Sequence, residues 1–184
     1  MGDITNLPPV RSLLAETVRL RTAAVHLQIN RQSLVLDDHW VIPRDTSIIA
    51  LSHDLALSAE AWAKARSRTV ERPLEEFWPE RYLLHKRAGS KSVLHSAQSG
   101  VSFSLVGLEP LNMGLGFGGQ PILGSEHARA IHAATLAVLL NEFEIQLCDA
   151  ELFDAVLPPA RELAFGMLKP LDKVDVRIKK RVTS

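Results

Sequence analysis

At 184 residues the chain has the size of one domain, long enough to bury roughly 70% of its unfolded surface around a single core. Twenty-one basic and 21 acidic residues cancel to zero formal charge, so no long-range field is implied that would recruit nucleic acid or an anionic membrane. A lone cysteine, Cys148, excludes an internal disulfide framework and a cysteine-rich zinc module, so a reducing intracellular setting, the cytoplasm first, is expected.

Met1 to Arg11 carries Asp3, Asn6 and two prolines and lacks the continuous apolar run of a secretory leader. No apolar stretch approaches the about 18 residues of a membrane span, so no transmembrane segment is expected, while peripheral membrane association stays open. Asn6-Leu7-Pro8-Pro9 reads as a helix entrance, because proline costs little where the amide has no helical partner. The helix is expected to end near Ala23, with Val10, Leu13, Leu14, Thr17 and Val18 as its inward stripe. Glu16 and Arg19, three apart, face one neighbourhood.

From Ala24 to Asn30 and from Leu34 to Leu51, β-branched residues broken by Asp37-Asp38 and Pro43-Arg44-Asp45 predict short antiparallel strands, with Trp40 packed as a sheet aromatic. Ser58 to Ala65 fits a short helix capped by Ser58. Arg72 to Tyr82 has no clean period and reads as an irregular segment. Residues 85–100, rich in Lys, Arg, Gly, Ser, His and Gln, are expected to be a flexible insertion, since few apolar groups offset the entropy of ordering. Gly114 to Gly119 fits G-x-G-x-x-G, but no β-α-β unit surrounds it and Pro121 falls where a phosphate-binding helix would open. Glu126 to Leu140 is the clearest second helix, with Ile131, Ala134, Thr135, Val138 and Leu139 as its apolar face. Glu142 to Leu147 and Lys173 to Lys179 read as strands, the second exposed or at an edge.

Several of these segments resemble, in order, the motifs of one family. Glu16-Thr17-Val18-Arg19 has the form E-x-x-R, Val41-Ile42-Pro43-Arg44-Asp45-Thr46 a strand turn of the form Y-x-I-P-K-G, and Pro79-Glu80-Arg81-Tyr82 the form P-E-R-F. His53-Asp54 falls where an H-x-D segment is found, Phe117 to Gly124 resembles a haem-ligand loop, and Val174 to Arg181 a basic terminal strand. The chain thus resembles the haem-thiolate monooxygenases of the cytochrome P-450 family, and only their C-terminal third. The resemblance implies a buried ion network of Glu16, Arg19 and Arg81. It also puts Gly124 where the family has its haem-ligating cysteine, and Ile122 where an Arg or His contacts a haem propionate. In the family the thiolate donates electron density to iron and favours scission of the O–O bond; glycine has no donor, and Cys148 lies beyond the second predicted helix.

The expected fold is therefore α+β, a truncated cytochrome P-450-like C-terminal region over residues 1–184 as one domain. Two main helices, short antiparallel strands and an irregular meander compose it. No cofactor is expected. His127 and His132 are considered as replacement iron ligands, and His26, His53, His95 and His132 as parts of a metal site, but their spacing fits neither H-E-x-x-H nor a compact zinc motif. The acid/base candidates are His127, Glu126, His53 and Asp54, because imidazole exchanges protons near neutrality and a neighbouring carboxylate favours its charged form. Three functions stay open: a non-oxidative cyclase or isomerase of secondary metabolism acting on a hydrophobic terpenoid- or polyketide-like intermediate, a non-catalytic protein that binds another pathway protein or itself, and an inactive monooxygenase relic.

Overall fold

The structure is a computed structural model that describes residues 4–85, 100–112, 116–117, 120–121, 125–148, 166–168 and 173–181. The expected flexible insertion, apart from its ends His85 and Gly100, lies outside the described residues, as do Ile122 and Gly124.

After a turn of 3-10 helix at Ile4–Asn6, α1 runs over Pro8–Arg21, with proline in its first turn where no amide is missed. It passes into β1 (Thr22–Ala23) and β2 (Val25–Ile29), then β3 (Leu34–Leu36), β4 (Trp40–Ile42) and β5 (Ser47–Leu51). β3 and β4 form a hairpin in the register Leu34↔Ile42 and Leu36↔Trp40, nested inside the longer pair β2–β5, in the register Val25↔Leu51 and Ile29↔Ser47. Asp37 (φ 50) and Asp38 (φ 56) turn the inner hairpin, and Asp45 (φ 64) turns the chain back into β5. Aspartate tolerates this left-handed region better than most side chains.

Two short helices follow, α2 (Ser52–Ala56) and α3 (Ala59–Ala65); the Ser58 hydroxyl caps α3 by accepting from the Ala61 amide at 3.4 Å. The meander then contains 3-10 turns at Ser67–Val70 and Pro79–Tyr82 and leads to β6 (Leu83–His85), which pairs with β7 (Val101–Phe103). Gly107 (φ +80) makes the turn that brings Leu108 into the core. Beyond it, β8 (Gly116–Phe117) and β9 (Gln120–Pro121) pair, and α4 spans Ser125–Glu142. The last strands are β10 (Phe143–Leu147), β11 (Gly166–Met167) and β12 (Val176–Lys180); β10 pairs with β12, and β11 with β1. Helices combined with separate antiparallel strand pairs make this an α+β fold.

The core lies between α1, α3 and the meander. Trp62, Leu74, Tyr82, Leu108 and Leu111 are buried together, with the Trp62 and Tyr82 rings edge to face at 6.1 Å. Such a pair adds about 0.5–1.5 kcal/mol to the area it buries.

Three expectations are corrected. Trp40 is 72% exposed rather than packed, because no described layer covers its hairpin. On α1 the buried residues are Ser12, Glu16, Arg19 and Leu20, and Thr17 is exposed, because the inward side of the helix carries an ion network instead of an apolar stripe. On α4, Ile131, Ala134, Thr135, Val138 and Leu139 are all exposed, and Ala133 is the buried residue.

Candidate functional site

The densest polar constellation is built by α1 and the 3-10 turn Pro79–Tyr82. One turn of helix sets Glu16 beside Arg19, and Arg81 reaches the same carboxylate from 65 residues away in sequence. Arg19 donates to Glu16 through Nε at 2.8 Å and Nη2 at 2.9 Å, Arg81 through Nε at 2.9 Å, and the Trp78 amide adds a fourth bond at 2.9 Å. A carboxylate offers about four lone-pair sites. Three of the bonds, from Arg19 Nη2, Arg81 Nε and the Trp78 amide, fall on Oε1 and one, from Arg19 Nε, on Oε2, so the carboxylate is held on both oxygens by fixed donors and is 0% exposed to any substrate.

Two guanidiniums share one carboxylate, and the surplus positive charge is spread over carbonyls. Arg19 donates to the carbonyls of Ala56 (2.9 Å) and Leu74 (2.6 Å), and Arg81 to those of Thr69, Pro73 (3.2 Å) and Glu76 (3.3 Å). The Trp62 ring faces Arg19 at 5.5 Å and the Trp78 ring faces Arg81 at 5.2 Å, each a further site of cation attraction. Burial holds the Arg81 guanidinium below its usual pKa, while the charge of Glu16 opposes that shift. Tyr82 is pushed well above the ordinary phenol value, first by burial and then by Glu16. The arrangement holds α1, α2 and the meander together.

The acid/base candidates lie elsewhere, in two groups. His53 is half-buried on α2 and its Nδ1 is shielded from solvent with no hydrogen-bond partner among the described residues, while Asp54 beside it is exposed. Glu126 and His127 are exposed on the first turn of α4, where Glu126 pairs with Arg129. No hydrogen bond or ion pair joins one group to the other among the described residues. Of the wider histidine set, His95 lies outside the described residues, His132 is exposed on α4, and no cluster of three or more His, Cys, Asp or Glu suited to a metal occurs among the described residues. Cys148 is exposed after β10, its amide bonded to the Asp175 carbonyl at 3.0 Å.

Sequence reasoning missed Thr69, Asn112 and Arg66. Thr69 is buried and supplies a carbonyl to Arg81; Asn112 donates to the Tyr82 hydroxyl at 3.4 Å; Arg66 ties α3 to the Ser104 and Val106 carbonyls at 3.2 and 2.7 Å. Each bonds to residues distant in the chain, so no local pattern announces it.

Comparison with curated proteins supports a relationship of this chain to the cytochrome P-450 monooxygenases. The chain is 27% identical over 191 residues to the cytochrome P-450 monooxygenase efuG of Hormonema carpetanum, and 28% identical over 192 residues to the cytochrome P-450 monooxygenase fsoE of Humicola fuscoatra. These alignments cover 97% and 98% of this chain but 33% and 32% of the relatives, so the chain spans about a third of their length. No family model matches. Among the described residues, no helix is long and apolar enough to cross a membrane.

Proposed function

We propose that the chain is a haem-free relative of the C-terminal third of a cytochrome P-450 monooxygenase that acts in fungal secondary metabolism by binding another protein of its pathway. The observation that carries this reading is the outer face of the β2–β5 pair. In that register Val25, Leu27, Ile29, Ile49 and Leu51 point the same way, all are exposed, and Leu27 reaches 66%. Contiguous uncharged apolar surface of this kind marks an interaction site in a soluble protein.

The donor set supports the haem-free part. Gly124 directly precedes α4 and has no ligand atom, whereas Cys148 follows the strand after that helix. At about 1.5 Å per residue, the 18 residues of α4 separate its ends by roughly 27 Å. The residues present therefore do not fit a thiolate-ligated haem. Adding haem to the purified chain and recording the reduced carbon-monoxide spectrum tests this; a stoichiometric thiolate-type Soret band overturns it. The partner-binding reading is tested by co-purifying the tagged protein with the other enzymes of its pathway, alongside Leu27→Asp and Ile49→Asp. Equal recovery of every enzyme with native and variant chains rejects it.

A cyclase or isomerase is the second reading, favoured by the unpartnered Nδ1 of His53. A buried imidazole nitrogen with nothing to bond is poised to accept or donate a proton if a hydrophobic substrate covers it. Deleting the gene and offering the accumulated precursor to the purified protein decides between the readings, since a binding protein leaves the precursor unchanged.

A further inference from the structure

The β10–β12 pair differs from the other strand pairs in its charge. Along β10 only Phe143 is partly covered, and every residue of β12 is exposed, so the pair projects as a ribbon with two open faces. Register assigns those faces. Ile145 lies opposite Ile178 and Leu147 opposite Val176 on one side, with Phe143 and Lys180 paired at the end of that side, while Glu144 opposite Lys179 and Gln146 opposite Arg177 occupy the other. The apolar side is open to solvent, with exposures of 42% for Ile145, 44% for Leu147, 41% for Val176 and 56% for Ile178.

Positive charge gathers on the same ribbon. Arg177, Lys179, Lys180 and Arg181 set four cations against the one carboxylate of the paired strands, Glu144; Glu142 and Asp175 lie at its ends. None of the four cations forms an ion pair among the described residues, and Glu144 accepts from the Gln146 amide at 3.4 Å. Arg181 holds the open end together, donating to the Glu142 carbonyl through its amide and to the Phe143 carbonyl through Nε at 3.2 Å. The neutral total of the whole chain thus conceals a local excess of positive charge.

An apolar face backed by cations is the pattern of segments that lie in the plane of a membrane surface, here with the two-residue period of a strand instead of the helical one. The apolar side chains enter the boundary between headgroups and acyl chains, and the long Arg and Lys stems let the cations reach lipid phosphates and carboxylates. We propose that the β10–β12 ribbon is a docking surface for an anionic lipid bilayer. This inference goes beyond the protein-binding role and uses a different face, so either can fail alone.

The test is flotation of the full chain with vesicles of phosphatidylcholine alone and of phosphatidylcholine with phosphatidylserine. Binding is expected to the phosphatidylserine vesicles and to weaken as salt rises. Each cation removed, as in Lys179→Gln or Arg177→Gln, is expected to weaken binding about fivefold. Ile178→Asp should abolish it, and Lys64→Gln, a change to an exposed cation on α3, should leave it unaltered. Circular dichroism checks that each variant remains folded, which the exposure of these side chains favours. Equal binding to both vesicle types, binding to neither, or equal losses for Lys64→Gln and Lys179→Gln would overturn the proposal.

Discussion

Replacing Glu16 by glutamine keeps the side chain's shape and removes its charge, which isolates the energetic role of the buried triad. The side chains of Glu16, Arg19 and Arg81 are each 0% exposed, so no solvent screens the two guanidiniums that remain. The amide also presents N–H groups where the carboxylate accepted, so at least one arginine donor loses its acceptor. Breaking a buried pair in this way costs about 3–5 kcal/mol. That is a large share of the about 5–15 kcal/mol that holds a domain folded, and a loss of about 4 kcal/mol shifts the folding equilibrium roughly a thousandfold. Removing all three charges, with Glu16→Leu, Arg19→Met and Arg81→Met together, should not restore stability. The carbonyls of Ala56, Leu74, Thr69 and Pro73 would lose their donors, each at a desolvation cost of its own. Urea unfolding followed by circular dichroism and tryptophan fluorescence measures both, since Trp62 and Trp78 lie against the guanidiniums. Arg129→Ala, which breaks only the exposed pair on α4, is the control, expected to cost less than about 0.5 kcal/mol. If Glu16→Gln unfolds at the same urea concentration and with the same slope as this control, the triad is not what holds the meander to α1.

Tyr82 is the sole tyrosine of the chain, so its titration can be followed by absorbance alone. Its folded pKa is raised above the ordinary phenol value of about 10, so the stability it contributes is fully present below that pH and is lost as pH rises further, when only the unfolded chain ionises. Tyr82→Phe should flatten this alkaline decline, and tyrosinate absorbance that develops before unfolding would contradict the burial argument. Ser58→Ala should cost about 0.5 kcal/mol, at the low end for a helix cap because its bond to Ala61 is long; thermal melting is the measure. Alanine at His53, Asp54, Glu126 and His127 together should leave melting within about 1 kcal/mol of the parent, since these residues are exposed or half-buried and only Glu126 is ion-paired. Unchanged turnover of any substrate found in that variant would remove all four from the chemistry.

Local chemistry made the strands and caps legible. Alternating β-branched residues around Asp37-Asp38 and Pro43-Arg44-Asp45 carry the nested hairpins in the sequence itself, and Ser58 before Ala59 reads as a cap because an unbonded amide needs an acceptor. Burial was less legible. The apolar residues of α4 and Trp40 are of a kind that can be buried, but a one-dimensional pattern cannot say whether a second layer covers them, and no described layer does. On α1 the helical period points to an apolar stripe and only the family resemblance implies that Glu16 and Arg19 are buried, while Ser12 looks like a solvent-facing residue until the Pro79 carbonyl accepts from its hydroxyl. His53 and Asp54 are neighbours in sequence and do not bond to each other, which shows how little adjacency says about orientation.

The span of the ion network bears on the order in which the chain assembles. Glu16 and Arg81 are 65 residues apart, Arg19 and Leu74 are 55 apart, and these contacts close loops that contain both hairpins and α3. A loop of that size must lose its freedom before the ion pairs return any energy, and charges must shed their water last, when the surrounding core is already dry. The hairpins and α3, built from near neighbours, can form without waiting. The network is therefore expected to close late, after the transition state, so that damage to it should appear chiefly as faster unfolding with refolding little changed. In this protein the residues that bind the finished structure most firmly would thus govern its lifetime more than its formation.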